Sequence, residues 1–541
     1  AQIDQALARQ REHGGRLGEI LVDMGVVRER ALAEVLAWKF DMPECDLRTQ
    51  APHPEALALV PDSIAREQLA LPISLSGEDL FVAVAEPSDA LERLLTETTH
   101  KSIHMMLVPL SDVRQAIDAS YVALGDVTSL VEVFETIETG RRRAPETPEV
   151  ETIADDAPVV RVVNRILTQA LRDRASDVHL EPQEDGMRVR YRIDGVMKDM
   201  LALPPAMGVG LVNRIKIMAD MNIVEKRRPQ DGQFTANIDN RGVDVRVSTV
   251  STIFGETCVM RILDKTKSVL TLSRLGMPHD FLNQYSEAIR VPFGMIVCAG
   301  PTGSGKTTTL YASLNELNET SRNIMTIEDP VEYVFSSMNQ IQTNEQAGLT
   351  FATGLKSILR QDPDVILVGE IRDVETARIA VQSAMTGHLV LSSLHATDAV
   401  TALLRFYDMG VEPFLVAASM IAVISQRLVR RTCPACKTPY RPTAEELAFY
   451  EESDGPEKTV FLRGAGCNFC AQTGYQERIG VYELLMVTGA IKRLIIANGT
   501  DDQFRMAAKQ EGMRSLRQQA IELVAQDVTT VAEVMRSIYT L

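Results

Sequence analysis

No apolar run in this chain is long enough to cross a membrane. The longest, Phe414–Ile424, falls well short of the ~20 residues a spanning helix needs, so any membrane role is expected to be peripheral. The sequence opens without a secretory-signal pattern, which predicts a cytoplasmic chain. Excess positive charge is missing as well. A formal net charge of −17 at pH 7 argues against a large nucleic-acid footprint, because phosphate binding depends on clustered Lys and Arg. Structural disulfides are not expected either: four of the seven cysteines form two C-x-x-C pairs, which without an export signal read as metal binding or redox chemistry. What is there is length. With 541 residues, 45% of them hydrophobic, the chain is too long for one core and is expected to divide into roughly three or four domains.

Pattern and composition place the boundaries. Residues 1–120 read as a small mixed α/β domain, with helical spacing at Ile3, Ala6, Leu7 and at Leu32, Val35, Leu36, then strand alternation in Asp79–Ala85. Residues 121–158 are expected to be a linker, Pro-rich, charged and apolar-poor from Gly140 onward. Residues 159–271 predict an α+β domain: an amphipathic helix from Val159 to Ala175, alternating runs at Met187–Ile193 and Gly242–Ser248, and a strand at Thr257–Leu263. Apolar strands alternating with helices over 272–431 predict an α/β domain. A cysteine segment, 432–487, and a mainly helical tail, 488–541, complete the chain.

The α/β domain opens with Gly300-Pro301-Thr302-Gly303-Ser304-Gly305-Lys306-Thr307-Thr308, directly after the apolar run Gly294–Ala299. This fits the phosphate-loop pattern with its strand in place, so the loop is expected to bind ATP with Mg²⁺. Glycines let backbone N–H groups approach phosphate oxygens, and a helix opening at Lys306 adds its positive dipole end. Lys306 would reach the β- and γ-phosphates, and Thr307 would ligand the metal. Three later strands are expected to deliver acidic or imidazole groups at their carboxyl ends, where ligands bind in open α/β sheets: Asn323–Glu332 with Glu328, Arg360–Asp373 with Glu370, and Thr386–His395 with His388 and His395. Glu328 is placed to orient or deprotonate the attacking water, Glu370 to sit beside Mg²⁺ or its water shell, and the histidines to sense the γ-phosphate, His395 being favoured because it follows the strand. Farther on, Cys433, Cys436, Cys467 and Cys470 form two knuckles that suit a tetrahedral structural Zn²⁺, with redox chemistry as the competing reading.

In their order and spacing these motifs resemble the Asp box, Walker B and His box of the secretion ATPase superfamily, which assembles type IV pili and type II secretion pseudopili. The resemblance is dense over 159–541. It implies a RecA-like ATPase domain preceded by a PAS-like α+β domain, a Glu at position 370 as the family's Walker B acid, and a tetracysteine insertion. It also points to Arg246 and Arg261 as residues meeting a neighbouring subunit's nucleotide, with Arg190 and Arg192 behind them. Near the N-terminus, Arg16–Gly25 followed by Leu32, Val35 and Leu36 resembles a domain that binds cyclic di-GMP in some members, through Arg16 and the Leu17-Gly18 backbone. Lys39 stands there where Gln is usual and no clear second copy of the motif follows, so a helical docking module for a cytoplasmic partner is the favoured reading over cyclic di-GMP binding. The implied assembly is a homohexamer at the inner face of the cytoplasmic membrane, working with a platform protein and a recruiting protein and with no direct nucleic acid. A DNA-uptake or conjugation-type ATPase and a nucleotide-gated scaffold with little turnover remain as alternatives.

Overall fold

The computed structural model describes residues 3–538 apart from 4, 8–9, 11–16, 25, 28, 49, 126, 142–156, 240 and 265–270. Its contacts form two units. The first comprises 1–264 with 433–437 and 464–474, and the second 265–432 with 438–463 and 475–541.

In the first unit, three short strands, β1 (Ala70–Ser76), β2 (Asp79–Val84) and β3 (Ser102–Leu107), make a sheet in that order, antiparallel then parallel. Helix Leu110–Ser120 buries Val113, Ala116 and Ile117 in the same core. The first part of the expected linker, 121–158, is helical instead. Val127–Arg141 is a helix, and Val127 and Leu130 are buried with Val131 and Phe134 against helix Pro158–Arg172. Spacing at i, i+3, i+4 and i+7 explains that helix, an apolar stripe that the charged residues around it obscure. Residues 142–156 lie outside the described part.

Helix Pro158–Arg172 starts on a proline, whose missing N–H costs nothing in the first turn. It packs, with helix Pro205–Met218, on a six-stranded antiparallel sheet. The strands are β4 (Ala175–Pro182), β5 (Met187–Ile193), β6 (Val196–Leu203), β7 (Gln230–Ile238), β8 (Arg241–Thr252) and β9 (Gly255–Asp264), in spatial order 6-5-4-9-8-7. Along β5, Met187, Val189 and Tyr191 are buried while the residues between them are not, so one face meets the helices and the other stays polar. Arg172 closes the joint to the preceding domain. Its nearly buried guanidinium pairs with Asp62 and Asp239, each at 2.9 Å, and donates to the Tyr121 carbonyl at 2.8 Å.

The second unit is built on a seven-stranded sheet. Its strands are β10 (Gly294–Ala299), β11 (Ile324–Glu328), β12 (Asn339–Gln342), β13 (Val365–Val368), β14 (Leu389–Leu394) and β15 (Met420–Thr432); β16 (Lys437–Tyr440) and β17 (Phe461–Gly464) pair as a separate ribbon; and β18 (Tyr475–Met486) returns to the main sheet. The order is 12-11-13-14-10-15-18, parallel throughout except for β18. Every residue of β10, β13 and β14 is buried, as continuous apolar runs covered on both faces require. Two clusters, around Ile327, Val368 and Phe406 and around Tyr285, Leu314 and Tyr482, fill the two sides. The longest apolar run divides between helix Pro413–Ser419 and the start of β15. The structure also corrects the boundary at 431. β18 pairs with β15 from Ala422↔Met486 to Thr432↔Tyr475, so the cysteine segment is spliced into a long antiparallel ribbon and its last residues belong to the ATPase sheet.

Helix Val531–Ile538 closes that ribbon through Glu533, whose side chain is wholly buried. Arg430 reaches it at 2.7 Å and Arg536 at 2.6 Å. Burial alone would push this carboxyl up, but the two arginines bring it down to about 2. A carboxyl held below its unfolded value adds stability that is complete above about pH 4.5 and is lost as the pH falls toward 2. Glu533→Gln should therefore destabilise the second unit by about 3 kcal/mol at neutral pH. Amide exchange in helix Val531–Ile538 should accelerate accordingly, and the gap from the parent chain should close in acid.

Candidate active site and metal centre

β10 delivers the phosphate loop to the carboxyl edge of the sheet, and Gly305, in the left-handed region at φ 90°, turns it into helix Lys306–Leu317. A Cβ at Gly305 would lie 2.9 Å from Gln426 Nε2, and one at Gly300 2.7 Å from the Gln426 carbonyl, so the loop tolerates no side chain at either position. Gln426 itself is buried. Its amide donates to the Ser304 carbonyl at 2.6 Å and accepts from Thr309 Oγ1 at 2.8 Å and Cys298 Sγ at 3.3 Å. Lys306 Nζ donates to the carbonyls of Gly300 at 2.8 Å and Pro301 at 3.1 Å. Burial pushes its amine down from the ordinary lysine value, while the Glu370 charge acts in the opposite sense. Pro301, Thr302, Gly303, Thr307 and Thr308 are exposed, and Ser304 is buried.

Glu328 ends β11 and is buried. Tyr311 Oη donates to one carboxylate oxygen; Thr326 Oγ1 at 2.6 Å and Gln340 Nε2 at 3.2 Å donate to the other. A carboxylate has about four acceptor sites, so these three donors orient it and leave about one for a water. Glu370 stands two residues beyond β13. Its oxygens meet the Arg372 guanidinium and, at 3.4 Å, His395 Nε2. The Glu370 bond raises Arg372 above its usual value. Lys306, Glu370 and His395 thus belong to one edge. His388 does not. It precedes β14 at the opposite end of the strand, on the order of 20 Å from His395, and its Nδ1 lies 3.0 Å from the Ser383 carbonyl. The imidazole packs at the end of helix Val374–Met385, which corrects its expected role as a phosphate sensor. Tyr311, Gln340, Arg372 and Gln426 were not singled out from sequence. Only Gln426 carried a signal there, as a polar residue inside an apolar strand.

Arg246 and Arg261 are direct register partners on β8 and β9, in the first unit rather than with the phosphate loop. Arg261 is largely exposed and pairs with Asp177 at 3.1 Å. Arg190 pairs with Glu181, and Arg192 with Asp177 at 3.5 Å. Arg16 lies outside the described residues, and Gly18 sits in helix Leu17–Asp23, where a Cβ would lie 2.9 Å from Leu32 Cδ2.

The four knuckle cysteines converge, with every Sγ within 4.8 Å of the others. Cys433 to Cys467 is 3.8 Å, Cys436 to Cys470 3.9 Å and Cys467 to Cys470 3.7 Å. A tetrahedron with zinc–sulfur arms of about 2.3 Å has edges of about 3.8 Å, so the set fits Zn²⁺, which would supply a cross-link with no open position. The Cys470 thiol is held below its usual value, first by a hydrogen bond from Cys433, and backbone N–H groups of Cys467 and Gly474 each donate to it at 3.2 Å. The knuckles belong to the first unit: Phe469 is buried in the N-terminal domain's core, and Gln115 Nε2 donates to its carbonyl at 2.7 Å. Elemental analysis should find about one zinc per chain, lost in Cys436→Ser. Amide exchange should then rise at Phe469 and in helix Leu110–Ser120 while nucleotide binding persists; a mapped disulfide in place of metal would support the redox reading.

Comparison with known proteins agrees with this geometry. Residues 152–536 match the family described as Type II/IV secretion system protein, and residues 40–126 match the MshEN domain. The chain is 40% identical over 542 residues to the type IV pilus assembly ATPase PilB of Myxococcus xanthus, covering 99% of this chain and 95% of that one. It is 43% identical over 484 residues to the type II secretion system protein HxcR of Pseudomonas aeruginosa, covering 89% and 99%. Among solved structures, the ATPase DotB of Legionella pneumophila superposes with a TM-score of 0.53 at 21% identity, over 72% of this chain and 96% of that one, a likeness of fold. The RecA-like expectation agrees with that likeness. With the family matched over 152–536 and 40% identity along 95% of a relative's length, this chain belongs to the type II/IV secretion system protein family and is an ATPase.

Proposed function

We propose that this ATPase is the motor of a type IV pilus or type II secretion machine, a homohexamer that hydrolyses Mg²⁺–ATP at the inner face of the cytoplasmic membrane and drives subunit assembly through a platform protein. The observation that carries the reading is the gathering of Lys306, Glu370 and His395 on one sheet edge in a chain related along nearly its whole length to a pilus assembly ATPase. In the proposed division of labour, Lys306 and Thr307 hold phosphate and metal, Glu370 sits in the metal's water shell, and Glu328 fixes the attacking water. Arg246 and Arg261 complete the site from a neighbouring subunit, since the two arginines share one unit and the phosphate loop the other.

Lys306→Ala should abolish turnover, whereas Glu370→Gln should bind nucleotide without cleaving it. Rings mixed from Lys306→Ala and Arg246→Ala subunits should recover activity that neither variant shows alone. A flat, inactive mixing series despite confirmed co-assembly would place the arginines in cis. Loss of surface pili on gene deletion, against loss of an exported enzyme, separates the two machines.

The MshEN match over 40–126 supports cyclic di-GMP as the regulator of the N-terminal domain. In the same domain, Val22, Leu32, Leu36, Val108 and Leu110, with Glu29 and Glu86 beside them, line a cavity of about 200 Å³. Calorimetry with the full chain should show cyclic di-GMP binding that Arg16→Ala weakens while basal ATPase is kept. The absence of any heat would leave a docking module that takes the recruiting protein.

A further inference from the structure

Beside Gln426, β15 carries a cation to which the site above gives no role. β15 runs parallel to β10 with Ser425 level with Ala299, so Arg427 stands two residues farther on, where Gly300 and Pro301 leave the sheet. The segment that follows His395 meets it there. Arg427 Nη2 donates to the Thr397 carbonyl at 2.8 Å and Nη1 to the Gln426 carbonyl at 3.2 Å. Those bonds use part of a guanidinium's five donors. Asp398 and Glu483 both act on Arg427, but Asp398 is itself engaged by Arg505 at 3.1 Å and Glu483 accepts from the backbone N–H groups of Ala399 at 2.8 Å and Leu516 at 3.2 Å. Arg427 is half-buried, burial pushes it down from the usual arginine value, and its charge in turn disfavours the protonated amine of Lys306.

Two cations are therefore held at the opening of one loop, with Lys306 Nζ resting on the carbonyls of Gly300 and Pro301. Such an arrangement is costly without an anion between them and favourable with one. The lysine of a phosphate loop serves the β- and γ-phosphates, and a guanidinium fork matches phosphate oxygens better than any other side chain. We propose that Arg427 is a second cationic contact, supplied in cis, for the terminal phosphates of the bound ATP, and that it makes the site prefer ATP to ADP. The proposal rests on ATP occupying the phosphate loop. Lys306→Ala run in parallel reports on that premise separately.

The test is equilibrium binding of ATP and of ADP, each with Mg²⁺, to the full chain and to Arg427→Gln and Arg427→Lys. Arg427→Gln should bind ATP about tenfold more weakly, with ADP affinity changed much less, because one charge-assisted contact to the γ-phosphate is gone. Arg427→Lys keeps the charge and should retain most of the preference for ATP, and melting temperatures should stay close to the parent's. Unchanged ATP affinity in Arg427→Gln would overturn the proposal. So would an equal fall for ATP and ADP in both variants accompanied by a lower melting temperature, which would make Arg427 only a tether for the Thr397 carbonyl.

Discussion

Buried polar groups beneath the phosphate loop are costly unless paired, and Gln426 pairs three of them, although the Ser304 hydroxyl has no partner. One planar amide joins the loop at Ser304, the first turn of the helix at Thr309 and the supporting strand at Cys298. The two glycines follow from the same crowding. The Gln426 backbone and side chain occupy the space a Cβ would need at Gly300 and Gly305, so the loop curls tightly against β15 and its carbonyls converge on Lys306. The lysine proposed to bind phosphate is thus positioned by a residue given no such role.

The parallel sheet then decides which other groups join it. Ala299 is level with Leu394 on β14 and Ser425 on β15, while Ile327 is level with Val368 on β13. Residues just past these positions leave the sheet together, and ligands of open α/β sheets bind at that carboxyl edge. Glu370 and His395 come from different strands and meet at 3.4 Å, as strand direction alone would place them. Glu328 differs in kind. Its three donors come from a helix, its own strand and the neighbouring edge strand, so the carboxylate is held still before any substrate arrives.

The sequence made the phosphate loop, the acids and the cysteine knuckles readable because each is local: a spacing, or a polar residue closing an apolar run. Buried parallel strands helped, since they read as unbroken apolar stretches. Direction was harder to see. His388 and His395 flank the same strand and look alike in one dimension, yet only the residue after the strand reaches the site. Composition misled at Val127–Arg141, where a Pro- and Arg-rich neighbourhood masked a four-residue apolar stripe. The longest-range feature escaped altogether: β18 completes a sheet whose other strands end before the cysteines begin, and no local pattern announces a partner across an insertion.

That insertion has a physical logic of its own. Thr432 and Tyr475 are register partners at the end of the β15–β18 ribbon, and Cys433 is the next residue of the chain. The segment between them buries Phe449, Tyr450 and Phe461 in one core and Phe469 in another, and a metal held by Cys433, Cys436, Cys467 and Cys470 would tie its two ends together. Arg430 stacks on Tyr475 at 4.1 Å and pairs with Glu533, fixing the ribbon just before it gives way to the knuckles. Gln426 and Thr432 lie six residues apart on one strand, a span of about 20 Å. β15 therefore carries the loop's strut at its middle and leads directly into Cys433 at its end.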